Sequence, residues 1–177
     1  MNHTRVATVW LDGCSGCHMS LLDLDERVLD LADRIELVYS PLVDSKEFPE
    51  DVSITLVEGA VSTSDDAEKI RLIRERTTLL VSLGDCAVTA NIPAMRNRFS
   101  VEAVLERAYV HNAAIGGQVP GIEVPRLLKR SRPVHEFVDV DRFLPGCPPP
   151  PEAIFNLMSE LLDGRPTGSS IITRFGA

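Results

Sequence analysis

An α/β fold built on a doubly wound parallel sheet follows from three features of the sequence. Apolar runs of strand length alternate with segments whose apolar residues recur at helical spacing. The strand runs, as at 5–11 and 77–83, are nearly continuous rather than alternating, which suits strands covered on both faces. The 177 residues are enough for one domain that buries about 70% of its unfolded surface, so neither disulfides nor a structural metal is needed simply to fold.

Taken in order, the chain gives five main strands with helices between them. Residues 5–11 predict the first strand. A helix over 19–34 follows, with Leu21, Leu22, Val28, Leu29, Leu31 and Ala32 inward and Asp23, Asp25, Glu26 and Asp30 outward; its acidic first turns suit the positive end of the helix dipole. Residues 35–39 form the second strand, and 40–51 a loop holding Pro41 and Pro49. The third strand spans 52–57 and runs out in Glu58-Gly59. Ser62, Thr63, Ser64 and Asp65 are N-cap candidates for a helix over 66–76 with Ile70 and Ile73 inward. Residues 77–83 form the fourth strand, and Gly84-Asp85-Cys86-Ala87 turns the chain after it. A helix is expected over 101–109, then a long Gly- and Pro-bearing loop over 110–133 with one short helix near 124–129. A loop of that length inside a domain is usually functional or covered by a partner. The fifth strand is expected at 134–140, a proline-stiffened loop at 144–151, and a last helix over 152–162, stopped by Gly164 and Pro166. Residues 1–166 then form the domain, and 167–177 a polar tail.

Composition excludes several function classes. The formal net charge is −8 and the sole basic cluster is 126–132, which argues against nucleic acid as a partner. No run approaches 18 apolar residues, so no membrane span is expected. The first residues carry neither an apolar signal nor a twin arginine, which predicts a cytoplasmic protein. No G-x-G-x-x-G or P-loop pattern occurs, so nothing reads as a nucleotide site.

Chemistry is concentrated in the four cysteines, spaced C-x2-C-x68-C-x60-C. Cys14 and Cys17 follow the first strand, Cys86 the fourth and Cys147 the fifth. In a parallel sheet all these loops leave the carboxyl rim, where ligands bind. Four thiolates gathered there could hold tetrahedral zinc or an iron–sulfur cluster. Gly13 and Gly16 would permit close backbone approach and unusual dihedrals. Other readings are a redox-active dithiol at Cys14 and Cys17, or isolated buried cysteines with no ligand role. Glu58, at the end of a strand on the same rim, is either a solvated carboxylate or a half-buried acid that relays protons. His18 is a hydrogen-bond donor beside the site or an exposed residue, Trp10 core or interface packing, and the 126–132 patch a solvated or partner-facing surface.

Together, Cys14-Ser15-Gly16-Cys17, Glu58-Gly59, Gly84-Asp85-Cys86-Ala87 and Gly146-Cys147-Pro148-Pro149 resemble the small subunit of nickel–iron hydrogenases, over residues 4–162. The resemblance implies a flavodoxin-like fold. It also implies that Cys14, Cys17, Cys86 and Cys147 ligate one [4Fe-4S] cluster, with Glu58-Gly59 toward the large subunit. Commoner members have a twin-arginine leader and a second cysteine-rich domain. This chain is similar instead to the short form of cytoplasmic, NAD-reducing hydrogenases. The related complex I subunit has adjacent cysteines where this chain separates Cys14 from Cys17 by two residues. The implied function is electron transfer. Hydrogen is split at a nickel–iron centre in a separate large subunit, and electrons leave through the cluster to diaphorase subunits carrying FMN and further iron–sulfur clusters. A deazaflavin, ferredoxin or quinone is the alternative acceptor. Backbone N–H groups around 13–16 and the Cys147 loop are expected to face the sulfurs, and the 110–133 segment and the tail to meet partners.

Overall fold

The computed structural model describes residues 3–164; the tail at 167–177 lies outside them. The elements in chain order are β1 (Thr4–Trp10), α1 (Gly16–Leu22), α2 (Val28–Ala32), β2 (Ile35–Tyr39), β3 (Val52–Glu58), β4 (Val61–Thr63), α3 (Ser64–Glu75), β5 (Thr77–Leu83), α4 (Gly84–Thr89), α5 (Val101–Glu106), β6 (Leu127–Arg132), β7 (Arg142–Leu144) and α6 (Pro151–Leu162). Five strands make one sheet in the order β2-β1-β3-β5-β7, all parallel. Counted along the chain, that is the flavodoxin order 2-1-3-4-5.

Neighbouring residues on one strand point to opposite faces, and both faces are covered. Val6, Ile54, Leu56, Val81, Leu83 and Leu144 pack against Ile154, Leu157 and Met158 of α6. Ala7, Val9, Val57 and Leu80 pack against Ala67, Ile70 and Ile73 of α3 and Ala87 of α4. Two buried faces explain why the strand runs read as continuous. Each fully buried leucine or isoleucine contributes about 1.5–3 kcal/mol. Among the N-cap candidates, Thr63 is the cap. Its hydroxyl accepts from the Asp66 amide at 3.1 Å while Asp66 Oδ2 accepts from the Thr63 amide at 2.9 Å, a reciprocal capping box.

Several expectations need correction. The helix over 19–34 is broken into α1, one 3-10 turn (Asp25–Arg27) and α2. Asp25 sits at φ +50, a left-handed conformation that aspartate tolerates better than most residues. The break turns the apolar stripe: Leu24 and Leu31 are each 3% exposed, whereas Leu22, Val28 and Leu29 face outward.

The fifth strand is β7, not 134–140. Pro133 opens a 3-10 turn (Val134–Glu136), and Val134, Phe137, Val138 and Val140 cover the α3 face of the sheet as a lid of loop. Contact with β5 begins at Asp141, whose amide donates to Leu80 O at 3.0 Å and whose Oδ2 accepts from the Leu80 amide at 2.7 Å. Burial alone would raise the Asp141 carboxyl, but the Leu80 amide and the Arg74 guanidinium outweigh it and hold it below the usual carboxylate range.

The expected helix near 124–129 is strand β6, paired antiparallel with β4. Ser62 Oγ donates to Ser131 Oγ at 2.7 Å, and Arg96 Nη2 donates to Ser62 O at 3.1 Å and Leu128 O at 3.0 Å. These cross-links are non-local, so no periodicity in 124–132 could announce them. Helix α5 is shorter than expected and passes into a π-helical turn (Arg107–His111).

Candidate metal centre

Three connections at the carboxyl rim of the parallel sheet carry the four cysteines: Cys14 in the loop after β1 with Cys17 in the first turn of α1, Cys86 in the first turn of α4 after β5, and Cys147 in the loop after β7. They are tied to their neighbours. After β1, Leu11 N donates to Glu58 O at 2.8 Å, and Asp12 and Ala60 exchange amide bonds at 3.0 and 2.7 Å, zipping the Cys14 loop to the end of β3. After β5, the Asp85 amide donates to Gly146 O at 2.8 Å. The Gly146 amide returns to Asp85 Oδ1 at 2.7 Å, so the Cys86 and Cys147 loops are joined. Ser20 Oγ of α1 donates to Pro149 O at 2.5 Å, closing the ring. Asp85 and Ser20 are each only 3% exposed.

All four sulfurs are free thiols. Cys17 is buried, Cys86 half-buried, and Cys14 and Cys147 exposed. Burial pushes the Cys17 thiol far up, and the Glu58 carboxylate and the sulfurs of Cys86, Cys14 and Cys147 push the same way. Burial also pushes Cys86 up, to about 11; the Ile92 amide pulls it down, and Cys147, Cys14 and Glu58 push it up again. The cysteines therefore share one electrostatic neighbourhood. Thiols pushed up as Cys17 and Cys86 are stay protonated until a cation takes the place of their protons.

The backbone is shaped around these sulfurs. Gly84 has φ +81, and a Cβ there would collide with Cys17 Sγ. A Cβ on Gly16 would stand 3.2 Å from Cys14 Sγ. The close approach expected of Gly13 and Gly16 is present, but the left-handed dihedral falls on Ser15, at φ 64.

This donor set fits a [4Fe-4S] cluster better than a single ion. Zinc needs its ligands within about 2.3 Å of one point. Among the described residues, no three His, Cys, Asp or Glu side chains are arranged to hold a single ion. A cubane offers one iron to each of four thiolates, so its ligands come from around a larger body, as these loops do.

Glu58 is buried more deeply than expected, at 2% exposed. Its Oε2 accepts from the His18 amide at 2.9 Å and lies 2.5 Å from His18 Nδ1. His18 Nε2 meets Thr8 Oγ1 at 3.0 Å, and Thr8 Oγ1 donates to Ser40 Oγ at 2.8 Å. His18, Thr8 and Ser40 are each buried. Both ring nitrogens are thus engaged, and a proton can cross between Glu58 and His18 with no heavy atom moving. Trp10 is not core. It stands at the rim, 45% exposed, with Nε1 donating to Gly13 O at 3.3 Å. The 126–132 patch is strand β6, with Lys129 and Arg130 exposed.

Two residues escaped sequence reasoning. Asp85 ties two ligand loops, and its signal was a lone acid between an apolar strand and a cysteine. Asn91 donates to Cys147 Sγ at 3.6 Å, and nothing in the sequence places it there.

Residues 14–161 match the family model for the NADH ubiquinone oxidoreductase 20 Kd subunit, a span that contains all four cysteines. The chain belongs to that family. One member is the delta subunit of the NAD-reducing hydrogenase HoxS of Cupriavidus necator, 42% identical over 170 residues that cover 92% of this chain and 80% of the relative. Another is a subunit of the F420-non-reducing hydrogenase vhu of Methanocaldococcus jannaschii, 37% identical over 90% of this chain; here the chain spans 56% of the relative. Among solved structures, the H2-reduced NAD+-reducing [NiFe]-hydrogenase matches with a TM-score of 0.92 at 40% identity, covering 96% of each chain. The [NiFeSe]-hydrogenase of Dm. baculatum, at 21% identity and a TM-score of 0.62, shares the fold over 98% of this chain and 70% of its own. Family members thus include subunits of nickel–iron hydrogenases, and the flavodoxin-like reading of the fold stands.

Proposed function

We propose that this chain is the electron-transfer small subunit of a cytoplasmic hydrogenase that oxidises H2 and reduces NAD+. Its partners are a nickel–iron large subunit and diaphorase subunits bearing FMN and further iron–sulfur clusters. The observation that carries this reading is the tied ring of ligand loops on one sheet rim, within a chain that spans 80% of the NAD-reducing relative. The longer vhu relative, of which the chain spans 56%, gives the second reading, a hydrogenase with a different acceptor.

Cys14, Cys17, Cys86 and Cys147 would hold one [4Fe-4S] cluster. When bound, it supplies one-electron transfer at a potential set by charge, hydrogen bonds and exposure. The chain's own part is positioning. Asp85 fixes the Cys86 and Cys147 loops together, and Gly84 makes room for Cys17. Glu58 and His18 give a buried acid–base pair beside the sulfurs that accepts or passes a proton as charge moves. Exposed Cys14 and Cys147 put the centre within reach of a partner surface. The 110–133 segment is the partner contact. Among the described residues, no helix is long and apolar enough to cross a membrane.

The test is the complex purified anaerobically with whatever subunits accompany the chain. Cys86→Ser is expected to abolish the iron–sulfur absorbance assigned to this subunit and hydrogen-dependent NAD+ reduction. A full cubane in that variant would overturn the four-ligand set, and a wild-type complex that reduces another acceptor but not NAD+ would establish the second reading.

A further inference from the structure

We propose that the turn directly after α4 supplies a hydrogen-bond donor that sets the potential of the cluster, with Asn91 donating to Cys147. The proposal rests on the four-cysteine reading above and goes beyond it by assigning a tuning residue.

Helix α4 carries Cys86 in its first turn, and its end is closed by the Ala90 amide, which donates to Cys86 O at 3.0 Å. Ala90 is at φ 61, a left-handed conformation that a residue bearing a Cβ adopts only when its surroundings impose it. The reversal points the next two residues back toward the rim. Asn91 Nδ2 lies 3.6 Å from Cys147 Sγ, bridging 56 residues of sequence. The chain beyond is clamped: Ala94 N donates to Ala90 O at 2.9 Å and Met95 N to Ile92 O at 3.0 Å. A donor from the turn that follows Cys86 is thereby aimed at the sulfur of a different connection.

The arrangement has a direct electronic consequence. An N–H that donates to a ligand sulfur stabilises negative charge there, and so favours the more reduced state of the metal group. Cys147 is exposed, so without Asn91 its sulfur is left to water, whose donors are not fixed. A primary amide held by a clamped turn gives a constant donor in their place.

The experiment compares wild type, Asn91→Ala and Asn91→Leu in the anaerobically isolated complex with its accompanying subunits. Leucine keeps roughly the volume of asparagine and removes the donor without adding charge. Iron and acid-labile sulfide are measured first, then each cluster's midpoint by EPR-monitored redox titration. Both variants are expected to keep wild-type iron and sulfide and to shift one cluster's midpoint to more negative potential, the others staying in place. Unchanged midpoints with full iron would overturn the tuning role and leave the four-cysteine reading intact. Loss of iron from both variants would overturn it in favour of a purely structural role. A wild-type chain free of iron would instead overturn the underlying reading.

Discussion

The cysteine rim and the segment 107–126 are organised in opposite ways. On the rim, loops and the first turns of α1 and α4 are held by bonds between separate connections: Asp12 to Ala60 and Asp85 to Gly146 through backbone and carboxylate, and Ser20 to Pro149. Across the segment 107–126, by contrast, Ile115 is 94% exposed and Ile122 is 87% exposed, and Val110, Val119 and Val124 also face solvent. One region uses its polar groups on itself and is finished as it stands. The other exposes apolar residues that a monomer would be expected to bury, the pattern of a surface completed by another chain. On the proposed four-cysteine reading, the tied connections lie where ligands would have to be held to fractions of an ångström, and the unburied apolar area where association would have to supply free energy.

The sharpest way to break the rim is Gly84→Ala. The new methyl would meet Cys17 Sγ, and the backbone is left-handed at φ +81. A side chain in that conformation costs about 1–2 kcal/mol and overpacking about 1–3 kcal/mol, so a loss of ~2–5 kcal/mol is expected. Denaturant unfolding should show it, together with loss of iron from the purified complex. A variant as stable as wild type with full iron content would mean that the cradle yields.

A smaller break is Asp85→Ala. It leaves the buried Gly146 amide without its acceptor, at a cost of about 1–3 kcal/mol, and uncouples the Cys86 loop from the Cys147 loop. The expected signature is faster loss of iron under a chelator challenge, with the sheet intact by circular dichroism. Equal rates of loss in the two proteins would show that the Asp85 amide bond to Gly146 O suffices alone.

What the sequence disclosed and what it hid divide along the same line. The first four main strands and the common rim on which Cys14, Cys17, Cys86 and Cys147 lie were legible, because parallel strands in a doubly wound sheet send their following connections to one rim. The burial of Glu58 was legible only in part. A strand-end acid gives no sign of a partner 40 residues away, yet His18 meets it at 2.5 Å. Strand β6 was hidden because its partner β4 is three residues long and its locks, Arg96 and Asn97, come from a separate turn. The fifth strand was misplaced because an apolar run following Pro133 looks the same whether it pairs with a sheet or lies across one. Local pattern tells which residues are apolar; it does not say which neighbour, if any, buries them.

The exposed segment gives the mildest prediction for the chain itself and the clearest separation of the two regions. Ile115→Ser combined with Ile122→Ser removes two side chains that make little contact within the chain, since they are 94% and 87% exposed. Stability should therefore stay within about 0.5 kcal/mol per site, and iron content should match wild type because the rim ties are untouched. Association is where the change should appear. Each isoleucine that a partner buries is worth up to about 1.5–3 kcal/mol, so the doubly substituted chain should retain less of its accompanying subunits in a pull-down at matched concentration. Undiminished co-purification would place the partner elsewhere. The exposed Trp10, Ile92, Met95 and Phe99, of which Trp10 and Ile92 stand beside the ligand loops, would then be the apolar surface left to receive it.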